Sequence, residues 1–407
     1  MDLNYGAEYE DFREEVRTFL AKNWNPGINE EAPTTERIKE FLLKAIAAGY
    51  LARSIPTQYG GSGQALDLIK NAIISELFRA VGAPEDPADL GFALLIPTLL
   101  EVGEEWQKER FIPPTVCGEI RWCQGYSEPG SGSDLASLQT RGELVGDEWV
   151  INGQKIWTST AEVCDYIFCL VRTEPEHAKH AGISYLLIDM DQPGVDVRPL
   201  KQMTGNSGFN EVFFTDAKTP KSWIVGERGG GWRVTKATLK HERSGLREIG
   251  DATAMLAPLV TLAKNRTLNG RPATDQPEVR QKIAEIEGGM LANACALRFR
   301  ASKVLKGQDP GRIGLMAKLN RTDSYQEVIK LAIELVGDDA LLLGGAEESI
   351  SLGFEAPVCP TESAEWVSGF MGSLGFVSAG GSSNIQRNLI AEYGLGLPRD
   401  LAAQRSK

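Results

Sequence analysis

Residues 122–134 read W-C-Q-G-Y-S-E-P-G-S-G-S-D. An apolar, strand-like run stops at Glu128-Pro129-Gly130, because proline fixes φ and glycine takes backbone angles that other residues resist. Ser131, Gly132, Ser133 and Asp134 follow, all small and rich in hydrogen-bonding groups. Such a loop can present N–H and hydroxyl groups to an anion such as a pyrophosphate. A plain polar turn between two strands has the same composition. Further on, residues 148–157 read E-W-V-I-N-G-Q-K-I-W. Asn152-Gly153 between two apolar runs predicts a type I′ hairpin, which needs positive φ at both central positions. Its second strand delivers Trp157, Thr158, Ser159 and Thr160.

On either side of this centre the apolar period changes. Residues 1–119 read as helical, with apolar positions 12, 16, 19 and 20 forming one stripe. Helices are expected over 12–24, 38–50 and 66–81, and a largely apolar, buried run over 90–102. A further helix over 104–111 is expected to close at Pro113-Pro114. Residues 120–227 read as short strands at 121–126, 149–151, 155–158, 166–172, 183–189, 195–199 and 210–215, which suggests an antiparallel barrel or sandwich. Residues 228–407 return to helix, from about Trp232 after the turn Gly229-Gly230-Gly231, then over 277–306, 312–336 and 365–374. Ser383 to Gln386 opens the last helix as a capping box. No G-x-G-x-x-G follows a strand, so a Rossmann dinucleotide site is not expected.

The 407 residues carry a formal net charge of −12, which argues against nucleic acid or an anionic membrane as a main partner. Six cysteines and three histidines show no C-x-x-C pair, and no metal site is expected. The N-terminus lacks an apolar leader, and no run approaches the ~18 apolar residues of a membrane span. A reduced, cytoplasmic protein is the expectation.

Four segments together resemble the acyl-CoA dehydrogenase family. S-E-P-G-S-G-S-D at 127–134 and N-G-Q-K-I-W-T-S at 152–159 are similar to the family's middle-domain signature. The turn P-T-Q-Y-G-G-S-G at 56–63 and F-N-E-V-F-F at 209–214 extend the likeness. The resemblance implies an α+β multidomain fold: an N-terminal helical domain, a central antiparallel β-barrel or sandwich, and a C-terminal four-helix bundle. It implies α,β-desaturation of an acyl-CoA with FAD as hydride acceptor, and an electron-transferring flavoprotein as the next carrier.

Many members carry the catalytic base in a Y-E-G-T-S-Q-I-Q-R-like motif. Here residues 379–387 read A-G-G-S-S-N-I-Q-R, and Gly380 stands where that Glu would be. A second subgroup places the base on the first long helix of the C-terminal domain, just before an Arg. Residues 239–245 read L-K-H-E-R-S-G, so the resemblance assigns the base to Glu242 and a tuning or CoA-holding role to Arg243. A surface Glu in a charged run is the plainer reading. Gly380 leaves room for a branched or bulky acyl group and for a peptide N–H beside the thioester oxygen.

For the flavin, the family pattern matches Tyr126, Ser127, Ser133, Trp157 and Ser159, with Ser382 and Asn384 near the last helix. Trp157 as simple core is the alternative. A neighbouring subunit completes the adenine end in these enzymes with R-x-x-F-G, a Gln and Q-x-x-G-G-x-G. Here Arg266 remains, but Asn269 replaces the Phe, Pro277 the Gln, and residues 334–340 read E-L-V-G-D-D-A. A related second chain in an α2β2 assembly, as in the steroid side-chain subgroup, is therefore expected; a homo-oligomer is the alternative. Two other functions stay open: a same-fold flavin oxidase or monooxygenase, and a non-catalytic partner subunit.

Overall fold

The computed structural model describes residues 7–24, 33–87, 89–242, 255–309, 311–341 and 363–398, without the side chains of residues 242, 301 and 305. They form two compact units. The first holds the described residues up to 201 together with 207–242; the second holds 202–206 and those from 255 onward.

The first unit starts with three helices, α1 (Ala7–Asn23), α2 (Thr35–Ala47) and α3 (Leu68–Ala80). Thr34 caps α2 by accepting from the Arg37 N–H, and Asp67 caps α3 by accepting from Ile69 and Lys70. Val16, Leu20, Phe41, Ile73, Leu77 and Phe78 meet in their shared core. A π-turn over Gly91–Leu95 leads into α4 (Ile96–Val102), and α5 (Glu105–Val116) follows.

Pro113 and Pro114 do not stop α5; both lie inside it. Each proline removes one i→i−4 bond, and the carbonyls left over belong to exposed Glu109 and Arg110, where water can serve them. Buried Phe111, Ile112, Thr115 and Val116 hold the turn in place from the other side.

The sheet has seven strands: β1 (Trp122–Gly125), β2 (Arg141–Val145), β3 (Glu148–Ser159), β4 (Tyr166–Arg172), β5 (Ile183–Asp189), β6 (Val195–Leu200) and β7 (Phe209–Pro220). Their order is β1-β4-β2-β3-β7-β6, with β5 on β4. Four pairs are antiparallel, but β4 runs parallel to both β1 and β2. Cys123, Trp149, Ile151, Ile167, Cys169, Leu186 and Val212 fill one face.

The hairpin expected at Asn152-Gly153 is not there. Those residues lie inside β3, and the two-residue turn falls earlier, at Gly146-Asp147 between β2 and β3. The Asn-Gly pair serves a bulge instead. Between Ile151 and Gly153 the partner strand β7 uses one extra residue, with Asp216 at φ 53°. Asn152 clamps that bulge: its Nδ2 donates to Asp216 Oδ1 and its Oδ1 accepts from the Asp216 N–H, both at 2.9 Å. Gly153 is needed for space, since a Cβ there would come within 2.6 Å of Thr140 Oγ1.

The last element of the first unit is α6 (Gly231–Glu242). Thr98 on α4 and Thr238 on α6 are both fully buried, and their Oγ1 atoms lie 3.0 Å apart.

The second unit holds α7 (Leu256–Asn265), α8 (Pro277–Leu305), α9 (Gly314–Val336), α10 (Ser363–Phe376) and α11 (Ser383–Leu389). Proline stands at the start of α8, where its missing N–H costs nothing. Leu259, Ala263, Met290, Val328, Ile329, Leu335 and Trp366 form the core. A small hairpin, β8 (Thr267–Leu268) and β9 (Arg271–Pro272), turns through Asn269 at φ 52° and Gly270 at φ 75°. This is the type I′ geometry that the other Asn-Gly lacks.

The capping box expected at Ser383 shifts by one residue. Ser382 is the cap of α11, accepting from the Ile385 N–H at 3.3 Å. Gln386 then lies one position too far along and donates to the Gly380 carbonyl at 3.2 Å.

Candidate active site

In the first unit the site is built where the 126–134 loop meets β3. Pro129 and Gly130 form the tip of a tight turn, closed by two bonds between Glu128 and Ser131, at 2.9 and 3.0 Å. Beneath the turn lies an ion pair that the motif reading did not single out. Lys155 Nζ is 2.8 Å from Glu128 Oε1, with the side chains 0% and 5% exposed. The same ammonium donates to the Tyr126 carbonyl at 3.2 Å. Glu128 also accepts from the backbone N–H groups of Gln139, at 2.6 Å, and Thr140, at 2.8 Å. Burial pushes the Glu128 carboxyl upward, but the Lys155 charge and these hydrogen bonds outweigh it and hold it below its usual range.

Trp157 follows two residues after Lys155. Between Lys155 and Thr158, β3 uses one more residue than β7, and the backbone at Trp157 takes φ 60°. The bulge turns the indole outward: it is 59% exposed, with its edge against Phe209 at 5.9 Å. Thr158 and Ser159 are buried behind it, and the Thr158 Oγ1 finds no partner among the described residues. Trp157 is thus not core.

Ser127 is half-buried, and its carbonyl accepts from the Ile156 N–H at 3.0 Å. Ser133 is exposed. Tyr126 packs its ring edge-on against Phe168 and Tyr185. Asp134 is held below its ordinary range by a hydrogen bond from Lys179 at 2.8 Å. A Cβ at Gly130 or Gly132 would meet nothing within 4 Å. An exposed flat indole next to an uncluttered loop of serines and N–H groups fits the ring and the pyrophosphate of a flavin dinucleotide.

The remaining sequence-derived positions divide between the units. Glu242 is the last described residue of α6, one helical turn beyond Thr238, and its side chain is not described; Arg243 lies outside the described residues. In the second unit Gly380 and Gly381 take φ 62° and 91°, immediately before the Ser382 cap. Asn384 sits in the first turn of α11. Arg266, at the end of α7, donates to Asp339 Oδ2 at 2.8 Å and to Ser363 Oγ at 2.6 Å.

Glu128 and Lys155 had a findable signal. Along β3, Lys155 has the inward parity of Trp149 and Ile151, so strand alternation buries it and requires an acidic partner. One group of metal-ligand types gathers among the described residues, at Glu174, Glu176 and His177. Its Glu174 is already ion-paired with Arg228.

Comparison with known proteins agrees with this architecture. Family models for the acyl-CoA dehydrogenase N-terminal, middle and C-terminal domains match residues 6–119, 123–217 and 229–395. The acyl-CoA dehydrogenase IpdE1 of Mycobacterium tuberculosis is 37% identical over 410 residues, covering 97% of this chain and 99% of the relative. The mitochondrial short-chain specific acyl-CoA dehydrogenase of Homo sapiens is 29% identical over 295 residues, 71% of each chain. Among solved structures, the ChsE4–ChsE5 complex from Mycobacterium tuberculosis superposes with a TM-score of 0.76 at 28% identity, covering 98% of this chain and 100% of that one. A Tcur3481–Tcur3483 steroid ACAD gives 0.77 at 27%, with the same coverage.

The three matched domains, helices, a seven-stranded sheet and helices again, mark a flavin-dependent oxidoreductase. The chain belongs to the acyl-CoA dehydrogenase family, whose members use FAD. Among the described residues no helix is long and apolar enough to cross a membrane.

Proposed function

We propose that this chain desaturates a bulky or branched acyl-CoA, of steroid side-chain or isoprenoid type, between Cα and Cβ. Glu242 takes the α-proton. FAD, when bound, supplies the acceptor for the β-hydride. Tyr126, Ser127, Ser133, Trp157 and Ser159, with Ser382 and Asn384, hold the cofactor, and Arg243 tunes the base or steadies the CoA.

The observation that carries this reading is the glycine at 380. At φ 62° a side chain is strained, so a carboxylate base at that position is disfavoured by the backbone as well as absent from the sequence. The base has to come from elsewhere, and α6 supports Glu242. That helix is fastened by the buried Thr98–Thr238 contact, one turn before Glu242. A thioester α-proton is weakly acidic, so firm placement and a desolvated carboxylate both matter.

We take the chain as three parts, 1–119, 120–227 and 228–407, working with a related second subunit. Arg266 supports that assembly: it is engaged by Asp339 and Ser363 within its own chain, so a neighbour's adenine would have to compete for it. The likeness to two-chain complexes and to a steroid ACAD points the same way. Electrons pass on to an electron-transferring flavoprotein. A cytoplasmic setting suits the five described cysteines, all of them free thiols.

The test is FAD content and anaerobic, acyl-CoA-dependent bleaching, comparing wild type with Glu242→Gln on a bulky branched acyl-CoA. The variant is expected to keep its flavin and bleach about 10²–10⁴-fold more slowly. Equal bleaching in both would remove Glu242 from the mechanism. Wild type isolated without flavin would direct the test to the chain co-expressed with its partner. Rapid turnover with oxygen and no acceptor protein would favour an oxidase.

A further inference from the structure

The Glu128–Lys155 pair is more elaborate than turn stability requires. A buried ion pair is a poor source of net stability, because desolvation offsets most of the attraction and a well-packed apolar pair often does as well. This one joins two pieces of chain, residues 126–128 and 155–156, that otherwise meet there through one backbone bond. On one side lies the loop: the Tyr126 carbonyl, Glu128 itself, and through Glu128 the backbone of Gln139 and Thr140. On the other is β3, where Lys155 stands immediately before Ile156, which bonds the Ser127 carbonyl, and two residues before the Trp157 bulge. Three links thus fasten residues 126–128 to residues 155–156, all within two residues of the outward indole.

We propose that Glu128 and Lys155 are positioning residues of the cofactor site: their pairing sets the spacing between the serine loop at 127–133 and the Trp157 ring, so that one flavin dinucleotide is gripped at both. The proposal rests on the reading of Ser133 and Trp157 as cofactor contacts. Neither member of the pair touches the cofactor itself. Their effect is to hold the loop's N–H and hydroxyl groups at a fixed distance from the indole. Without the pair, the Ile156–Ser127 backbone bond alone would join the two pieces here, and their spacing would be set less tightly.

The test uses the complete chain, with its partner subunit if one co-purifies, after removal of flavin and titration with FAD. The double variant E128Q/K155M removes both charges at near-constant volume and keeps an amide oxygen for one of the two N–H groups, those of Gln139 and Thr140, that Glu128 serves. Its apoprotein is expected to melt close to wild type, while the FAD dissociation constant rises by about tenfold or more. The visible circular dichroism of the bound flavin should change in band shape, which a loss of global stability alone would not produce. E128D, which keeps the charge and withdraws it by one methylene, covers the case in which the double variant fails to fold; a several-fold weaker FAD affinity with an unaltered apoprotein melt is expected.

W157A is the control for the underlying reading. If W157A weakens FAD while the pair variants bind it as wild type does, with the same visible spectrum, the positioning role is overturned and the site reading stands. If W157A is also without effect, the site reading fails and the proposal fails with it.

Discussion

Asp89 offers a quantitative check on how the first unit is held together. The residue is 6% exposed, and its carboxylate accepts from the N–H groups of Gly91 and Trp122 at 2.9–3.0 Å. It therefore ties the start of the π-turn to the first residue of β1. Burial pushes its pKa from 3.8 to about 7; the two N–H groups and Arg121 act in the opposite direction, while Asp165 adds to the rise. Between those two values the folded chain holds this proton and the unfolded chain does not. The resulting stabilisation is complete below the unfolded pKa and is lost as pH rises through about 7. At 1.36 kcal/mol per unit, raising pH from 5 to 8 removes about 2.5 kcal/mol. For a unit of this size that corresponds to about 5 °C in melting temperature.

Asp89→Asn cannot ionise and keeps one acceptor oxygen. Apoprotein melts of wild type and variant, taken in parallel at pH 5, 6, 7 and 8, cancel every other titration. The gap between the two should shift by about 5 °C in the variant's favour across that range. A gap constant to within about 1 °C would refute the reasoning: Asp89 would then be ionised in the folded chain throughout, its two N–H partners and Arg121 having offset its burial.

Three further outcomes follow from single distances and angles. Gly153→Ala should cost about 1–3 kcal/mol in thermal unfolding, because its Cβ would sit 2.6 Å from Thr140 Oγ1, whereas Gly132→Ala, with open space, should stay within about 0.5 kcal/mol; the opposite order would contradict the packing. Gly270→Ala, at φ 75°, should destabilise the second unit by about 1–2 kcal/mol, read from its own melting transition. Thr98→Val removes the contact to Thr238 and should cost about 1 kcal/mol rather than more, since the Thr238 hydroxyl keeps its bond to the Val234 carbonyl; a neutral result would mean that α6 is not fastened there.

Much of the fold could be read from the chain before the structure. The switch from helical to strand period and back was visible, and β4 and β5 fall on the residues that their apolar runs indicated. What failed was local chemistry with two solutions. Asn-Gly satisfies both a type I′ turn and a strand facing a bulge, and the chain uses one at 269–270 and the other at 152–153. What separates them lies outside either dipeptide: Asp216, 64 residues away, engages Asn152. Strand β2 was missed because R-G-E-L-V carries too little apolar character to stand out. At the site, the serine loop and Trp157 were legible as a motif. The pair beneath them was missed: the inward parity of Lys155 on β3 signals a buried charge, but its partner Glu128, 27 residues away, looks like an ordinary charge on its own.

That pair also constrains how the chain can diverge. Losing either partner strands a charge in the interior, a change worth about 3–5 kcal/mol and comparable to much of a domain's margin. Exchanging both for neutral residues of similar size avoids the penalty. Single-step drift at either position therefore leads into a fitness valley, and the two sites are expected to vary only together. In a lineage where one of them changes, the other should have changed with it, or the flavin loop should have been rebuilt.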